Sequence, residues 1–257
     1  MGSPLRHVSV LIFVSLIAPH LSAQWIKPQP PGAPRTADGK IDPRGPAPRT
    51  ADGKPDLSGM WFSTIKFNTN LAAEFKGDVP MTAWGKALYD ERRGNNSKDD
   101  PETVCLPAGV PRTTAAGALP SRIVQTPGMI VILHETKMIF RQVYMDGRTL
   151  QKDPNPTWMG YSTGSWDGDA LVVKTTGFND KTWLDDVGHP HSDKMIVTER
   201  YRRSDYGRLT LDITVEDEVA YTRPWTTTQE LRLDPTGDLI EYVCTENERD
   251  ARHSIGK

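Results

Sequence analysis

The stretch Thr182-Trp-Leu-Asp-Asp-Val-Gly-His-Pro-His-Ser-Asp193 gathers two histidines and three aspartates within twelve positions. Imidazole is the side chain whose unperturbed pKa lies nearest neutrality, and a neighbouring carboxylate fixes its tautomer and orientation. The spacing therefore points to acid-base chemistry by His189 or His191, backed by Asp185 or Asp186. Residues two apart in an extended segment face one side, so both imidazoles are expected to face a common cavity. On that reading His191→Ala or Asp185→Ala abolishes turnover with little effect on stability. The same ring nitrogens suit a divalent metal, with Asp185, Asp186, Glu199 or His134 as a further ligand. A third reading makes the stretch a lid whose histidines bond its own backbone and whose aspartates cap turns. Acid-base work is favoured; no organic cofactor is expected, and a metal at His189 and His191 stays possible without being preferred.

Other chemistries lack their signatures. Ser192, directly beside His191, has no activating pattern, so a serine triad is not indicated. The glycines Gly147, Gly168 and Gly207 sit in hairpin positions, not at strand-to-helix junctions that cradle phosphate. The first glutamate after His191 is Glu199, too distant for the His-x-His-Glu spacing of cupin metal sites. Secondary candidates lie on strand-like runs. His134 follows an apolar run, and Arg141 interrupts another in Phe140-Arg-Gln-Val-Tyr144, where a buried guanidinium wants a carboxylate from protein or substrate. Glu199 and Tyr201 share one strand face and Arg200 takes the other, so one face or the other lines the interior. Tyr144, Trp158, Tyr161, Trp166 and Trp183 offer flat walls for a small ligand, or equally core packing.

The elements that must position these groups are strands. Runs rich in β-branched and aromatic residues occupy 57–64, 122–125, 129–135, 138–145, 160–166, 170–176, 194–203, 208–216, 226–233 and 239–244. Leu209, Leu211, Ile213 and Val215 alternate with polar residues, giving one dry and one wet face. Asp146-Gly147 and Asp167-Gly168 each stand between two runs and read as hairpin turns. One short helix is expected near residues 81–93, where Trp84 and Leu88 recur after Pro80. No long helix separates the strands, which excludes parallel α/β folds. About nine or ten sequential antiparallel strands lose their open edges most simply by closing into an up-and-down barrel. Between the strands ending and beginning near 176 and 194 the candidate stretch then forms a loop of about 17 residues, longer than a hairpin requires.

The entry Asp56-Leu-Ser-Gly59-Met-Trp61 resembles the Gly-x-Trp strand of lipocalins and related calycin barrels, a resemblance that implies a Trp plugging the barrel floor and a small-molecule cavity. The stretch 152–203, with Trp158-Met-Gly-Tyr, Trp166-Asp-Gly-Asp, Thr176-Gly-Phe-Asn-Asp-Lys-Thr-Trp-Leu-Asp and Gly188-His-Pro-His-Ser, is similar to an uncharacterised family of exported bacterial proteins. That second resemblance implies no activity.

The chain has 257 residues with a formal charge of -2, enough for one large all-β domain and without the basic field of a nucleic-acid binder. Residues 1–23 read as an export signal: Arg6 and His7 precede an apolar run, and Leu21-Ser22-Ala23 ends in a cleavage pattern. The run is too short to span a bilayer. Residues 24–56 hold eight of the 21 prolines and a duplication, Ala33-Pro-Arg-Thr-Ala-Asp-Gly-Lys40 recurring as Ala47-Pro-Arg-Thr-Ala-Asp-Gly-Lys54, and read as an extended linker. From Leu57 onward, in the expected lipocalin-like barrel domain 57–257, 29 acidic residues face 24 basic ones. Cys105 and Cys244 are expected to pair in an exported chain. The sum is a periplasmic or secreted monomer or simple homodimer without a membrane span, taking a small molecule at the barrel mouth. It is read as an acid-base enzyme of lyase, hydratase, isomerase or hydrolase type, against a non-catalytic ligand carrier or a metalloprotein.

Overall fold

The computed structural model describes residues 30–64, 70–115 and 119–246. The expected signal segment 1–23 lies outside the described residues. Nine strands close into a barrel in chain order. They are β1 (Gly59–Ser63), β2 (Ser121–Gln125), β3 (Met129–His134), β4 (Phe140–Tyr144), β5 (Tyr161–Asp167), β6 (Ala170–Thr176), β7 (Ile196–Arg203), β8 (Arg208–Glu216) and β9 (Trp225–Asp234). A 12-residue helix, α1 (Ala83–Gly94), and a single-turn helix, α2 (Arg112–Ala115), lie in the long β1–β2 connection. Closure comes from β1 pairing with β9, Met60 opposite Asp234. Each of the nine described strands thereby has a neighbour on both sides.

Alternation decides which side chains enter the lumen. On β8 Leu209, Leu211, Ile213 and Val215 are all fully buried, while Thr210, Asp212 and Thr214 stay partly exposed. Burying each such aliphatic side chain is worth roughly 1.5–3 kcal/mol. Trp61 fills the floor: its indole N–H donates to Leu57 O at 2.9 Å, and the Arg203 guanidinium lies 4.9 Å from its ring.

Three sequence expectations need correction. One neighbour pair is parallel, β4 with β5, Val143 opposite Ser162. Parallel strands require a crossover that returns the chain to the starting end, and residues 145–160 supply it. Asp146-Gly147 is accordingly a turn at the start of that crossover and joins no hairpin, whereas Asp167-Gly168 does close the β5–β6 hairpin, with Gly168 at φ +59. The run 239–244 is not a strand; it leaves the barrel and carries Cys244, which is bonded to Cys105 as expected.

The duplicated segment does not run as a free extended spacer. Each copy forms the same turn, Thr36 N to Lys40 O and Thr50 N to Lys54 O both at 2.9 Å. The second copy docks through Arg49, bidentate to Asp169 at 3.0 and 2.6 Å, and Tyr206 N and Gly207 N donate to Gly45 O and Pro43 O at 2.8 Å. Proline removes donors and fixes φ but leaves carbonyls free to accept, and the barrel floor uses them. No helix among the described residues is long and apolar enough to cross a membrane.

Candidate functional site

Loop 177–195 lies at the opposite end from Trp61, where β6 ends and β7 begins. Helix α1 sits beside it and is seated on the 217–224 turn. Thr82 caps α1, accepting from Gly85 N at 3.1 Å while its hydroxyl donates to Val219 O at 2.7 Å. A Cβ on Gly85 would stand 2.3 Å from Ala220 O, so only glycine permits this seat. The helix then presents Tyr89 and Arg92 to the loop. Tyr89 stacks on His189 with ring centroids 4.6 Å apart, and the Arg92 guanidinium lies 4.5 Å from the Trp183 ring centroid. Burial pulls Arg92 down to about 10.

Asp185 is fully buried and accepts four hydrogen bonds. The donors are Leu71 N at 2.9 Å, Gly188 N at 3.0 Å, His189 N at 3.1 Å and His189 Nδ1 at 2.5 Å. Among the described residues no lysine or arginine is hydrogen-bonded to this carboxylate; backbone N–H groups and the His189 ring are its donors. The carboxylate also forces the tautomer of His189: Nδ1 carries the proton toward Asp185, which leaves the lone pair on Nε2. Tyr89 and, at 6.1 Å, Trp225 pack the ring, and Nε2 makes no hydrogen bond among the described residues. Gly188, at φ +98, makes the turn that brings His189 back over Asp185.

His191 differs. Its Nδ1 donates to Ser192 O at 2.9 Å and its Nε2 meets Thr182 Oγ1 at 2.5 Å, so both nitrogens are engaged by the loop itself. Burial depresses its pKa, which keeps it neutral. The two histidines do not share surroundings: His191 packs edge-on against Phe178, and His189 lies between Tyr89 and Trp225. Pro190 between them is pinned by Tyr221, whose hydroxyl donates to Pro190 O at 2.8 Å, and Asp217 holds Ser192 N at 2.5 Å and Ser192 Oγ at 2.9 Å. Removing His191 or Asp185 strips these ties from the loop. Asp186 partners neither histidine; it pairs with Arg112, which also binds Asp100 at 2.7 Å and Glu102 at 3.0 Å.

The mouth is plugged by Leu71. Its N–H is held by Asp185, and its carbonyl accepts from Thr227 Oγ1 at 2.9 Å. Below the plug lies a second polar cluster that spans the lumen. Arg141 on β4 pairs with Glu199 on β7, two strands that are not neighbours, and both side chains are at most 1% exposed. Glu199 is thus the inward face and Arg200 the outward one, paired with Asp167 at 2.7 Å. Tyr201 donates to Glu199 at 2.9 Å, and Arg141 donates to Ser162 at 3.0 Å and Thr175 at 2.7 Å. His134 meets Ser121 Oγ at 2.7 Å through Nδ1.

The proposed aromatic walls are not assembled at the mouth. Tyr144 and Tyr161 stack at 5.4 Å outside the barrel, with Arg148 over Tyr144 at 3.8 Å. Trp158 is half-buried ahead of β5, and Trp166 is half-buried near Lys54 at 6.0 Å. Trp183 is buried in the loop under Arg92. Among the described residues no group of three or more His, Cys, Asp or Glu side chains is placed to hold a metal ion. Tyr89, Leu71, Asp217 and Thr227 escaped sequence reasoning because nothing local marks them; the signal is contact across 25 to 156 positions. No family model, curated protein or solved structure matches the chain.

Proposed function

We propose that the protein is an exported barrel of lipocalin-like type that takes a small molecule at its mouth, and that His189 moves a proton on that molecule. The observation that supports this reading is the Asp185–His189 pair. Its carboxylate is immobilised by three backbone N–H groups and its imidazole is oriented Nδ1 inward, which leaves Nε2 as the basic nitrogen. A positioned imidazole contributes about 10²–10⁴-fold to a proton-transfer step. The reaction class is one in which proton abstraction or donation is the difficult step: an isomerisation, elimination, hydration or hydrolysis. His191 serves the loop in this scheme, and Asp186 serves Arg112.

The test needs no prior substrate. The intact protein is incubated with a library of small carbonyl compounds in deuterated water, and deuterium incorporation or new products are followed by proton NMR. His189→Asn keeps a donor toward Asp185 and removes the basic nitrogen; it is expected to retain the melting temperature and abolish exchange. Asp185→Asn is expected to lose both activity and stability, because the same carboxylate holds Leu71 and the 185–189 turn. Exchange that persists undiminished in His189→Asn, or a library in which the wild-type protein acts on nothing, overturns the proposal in favour of a non-catalytic carrier.

A further inference from the structure

Among the described residues, two neighbouring inward-facing side chains each leave one buried polar atom without a partner. Arg141 is 2% exposed and its Nη1 makes no hydrogen bond; His134 is 2% exposed and its Nε2 makes none. The rest of each side chain is fully engaged. Arg141 spends Nε on Ser162 and Nη2 on Thr175 and Glu199, and His134 spends Nδ1 on Ser121. Both residues point inward, since Arg141 reaches Glu199 across the barrel. Ile132 is opposite Arg141 in the β3–β4 register, which makes His134, two residues further along β3, its diagonal neighbour on the same face. Leaving a buried donor or acceptor unsatisfied costs stability, and these two sit side by side in a cluster whose other polar atoms are hydrogen-bonded.

Charge selects what that party is. Glu199 already neutralises Arg141, and Tyr201 and His134 add no charge: burial holds the phenol protonated and, with the Arg141 cation, pushes the imidazole down to about 3. A ligand carboxylate would be a second buried anion with no cation left to balance it, and an ammonium would face Arg141. Either leaves a buried charge uncompensated. An uncharged oxygen acceptor meets neither objection: it accepts an N–H of Nη1, and Nε2 of His134 either donates to it or accepts from a neighbouring hydroxyl or amide, according to the tautomer Ser121 leaves.

We propose that Arg141 and His134 form an internal binding site for an uncharged small molecule bearing a carbonyl or amide group. It rests on the reading of the protein as a small-molecule barrel but not on proton transfer at His189.

The full-length protein is titrated with acetone, cyclohexanone and cyclohexanecarboxamide, and with cyclohexanecarboxylate and cyclohexylammonium as charged counterparts. The ring nitrogens of His134 are observed by long-range proton–nitrogen correlation. At least one uncharged carbonyl is expected to move the His134 resonances saturably, with the charged probes at least tenfold weaker. Arg141→Lys keeps a cation for Glu199 and loses the second nitrogen; it is expected to weaken binding at least tenfold, and should it not fold, His134→Gln is read instead by the loss of ligand-induced thermal shift. His189→Asn is expected to bind the probes as the wild type does, so the site and the proton-transfer reading fail separately. The inference is overturned if no uncharged probe saturates, which would leave the two atoms to bound water. It is equally overturned if the charged probes bind as tightly or the variant binds undiminished.

Discussion

Acid should destabilise this barrel through His134. Burial, with the nearby positive charge of Arg141, pushes its pKa from 6.5 down to about 3 in the fold. The unfolded chain therefore binds a proton between those values that the folded chain refuses, and stability present above pH 6.5 is lost as pH falls toward 3. A separation of that size corresponds to a limit of about 5 kcal/mol at 1.36 kcal/mol per unit, of which about 2 kcal/mol is already lost at pH 5. The side chain is 2% exposed, so solvent screening takes little from this figure. His191 shifts the same way by burial, and both contribute to the wild-type slope. His134→Gln isolates one of them: Gln still reaches Ser121 but does not titrate. Urea unfolding at pH 7, 6 and 5 should show wild type losing about 2 kcal/mol more than the variant between the extremes. Parallel curves for the two proteins would mean that the imidazole charges without penalty, and the account of a dry, neutral lumen would be wrong.

The Cys105–Cys244 bond closes a loop of 139 positions, for which loop entropy gives up to about 5 kcal/mol; the double serine variant should approach that loss in urea unfolding, with reductant producing the same loss in wild type and none in the variant. Gly85→Ala forces a methyl against Ala220 O, 2.3 Å away, and should unseat α1 from the 217–224 turn. About 1–3 kcal/mol of stability is expected to go with it, measured by thermal unfolding, and the chemical shift of the His189 ring should move as Tyr89 withdraws.

Much of the barrel was legible because its signal is local. The period-two alternation of 208–216 and the β-branched runs 170–176 and 208–216 coincide with β6 and β8, and burial of one face is what alternation encodes. Run 239–244 has the composition of a strand and is none, because β1 and β9 had already closed the sheet and left no edge to pair with. The parallel β4–β5 pair was hidden for a related reason: Asp146-Gly147 has hairpin chemistry, and the length of the crossover that overrides it carries no local mark. Composition counts apolar surface and ignores carbonyls, so the contacts of Pro43 and Gly45 through their backbone oxygens carry no mark in the tail's sequence.

The site divides along the same line. Asp185 and His189 are four apart, and the Gly188 between them supplies the positive φ that folds one onto the other, so their pairing was within reach of sequence reasoning. The equivalence assumed for His189 and His191 was not. It followed from treating the loop as extended, whereas Leu184 N bonds His189 O at 2.9 Å and curls the chain, which gives the two imidazoles different neighbours. The three imidazoles differ in the number of ring nitrogens the protein has already used: two in His191, one in His189, one in His134. That count depends on Thr182, Ser192, Asp185 and Ser121 reaching the ring, and on nothing else reaching Nε2 of His189 or His134. Position along the chain fixes none of those contacts; the closure of the barrel and the seating of α1 on its rim do.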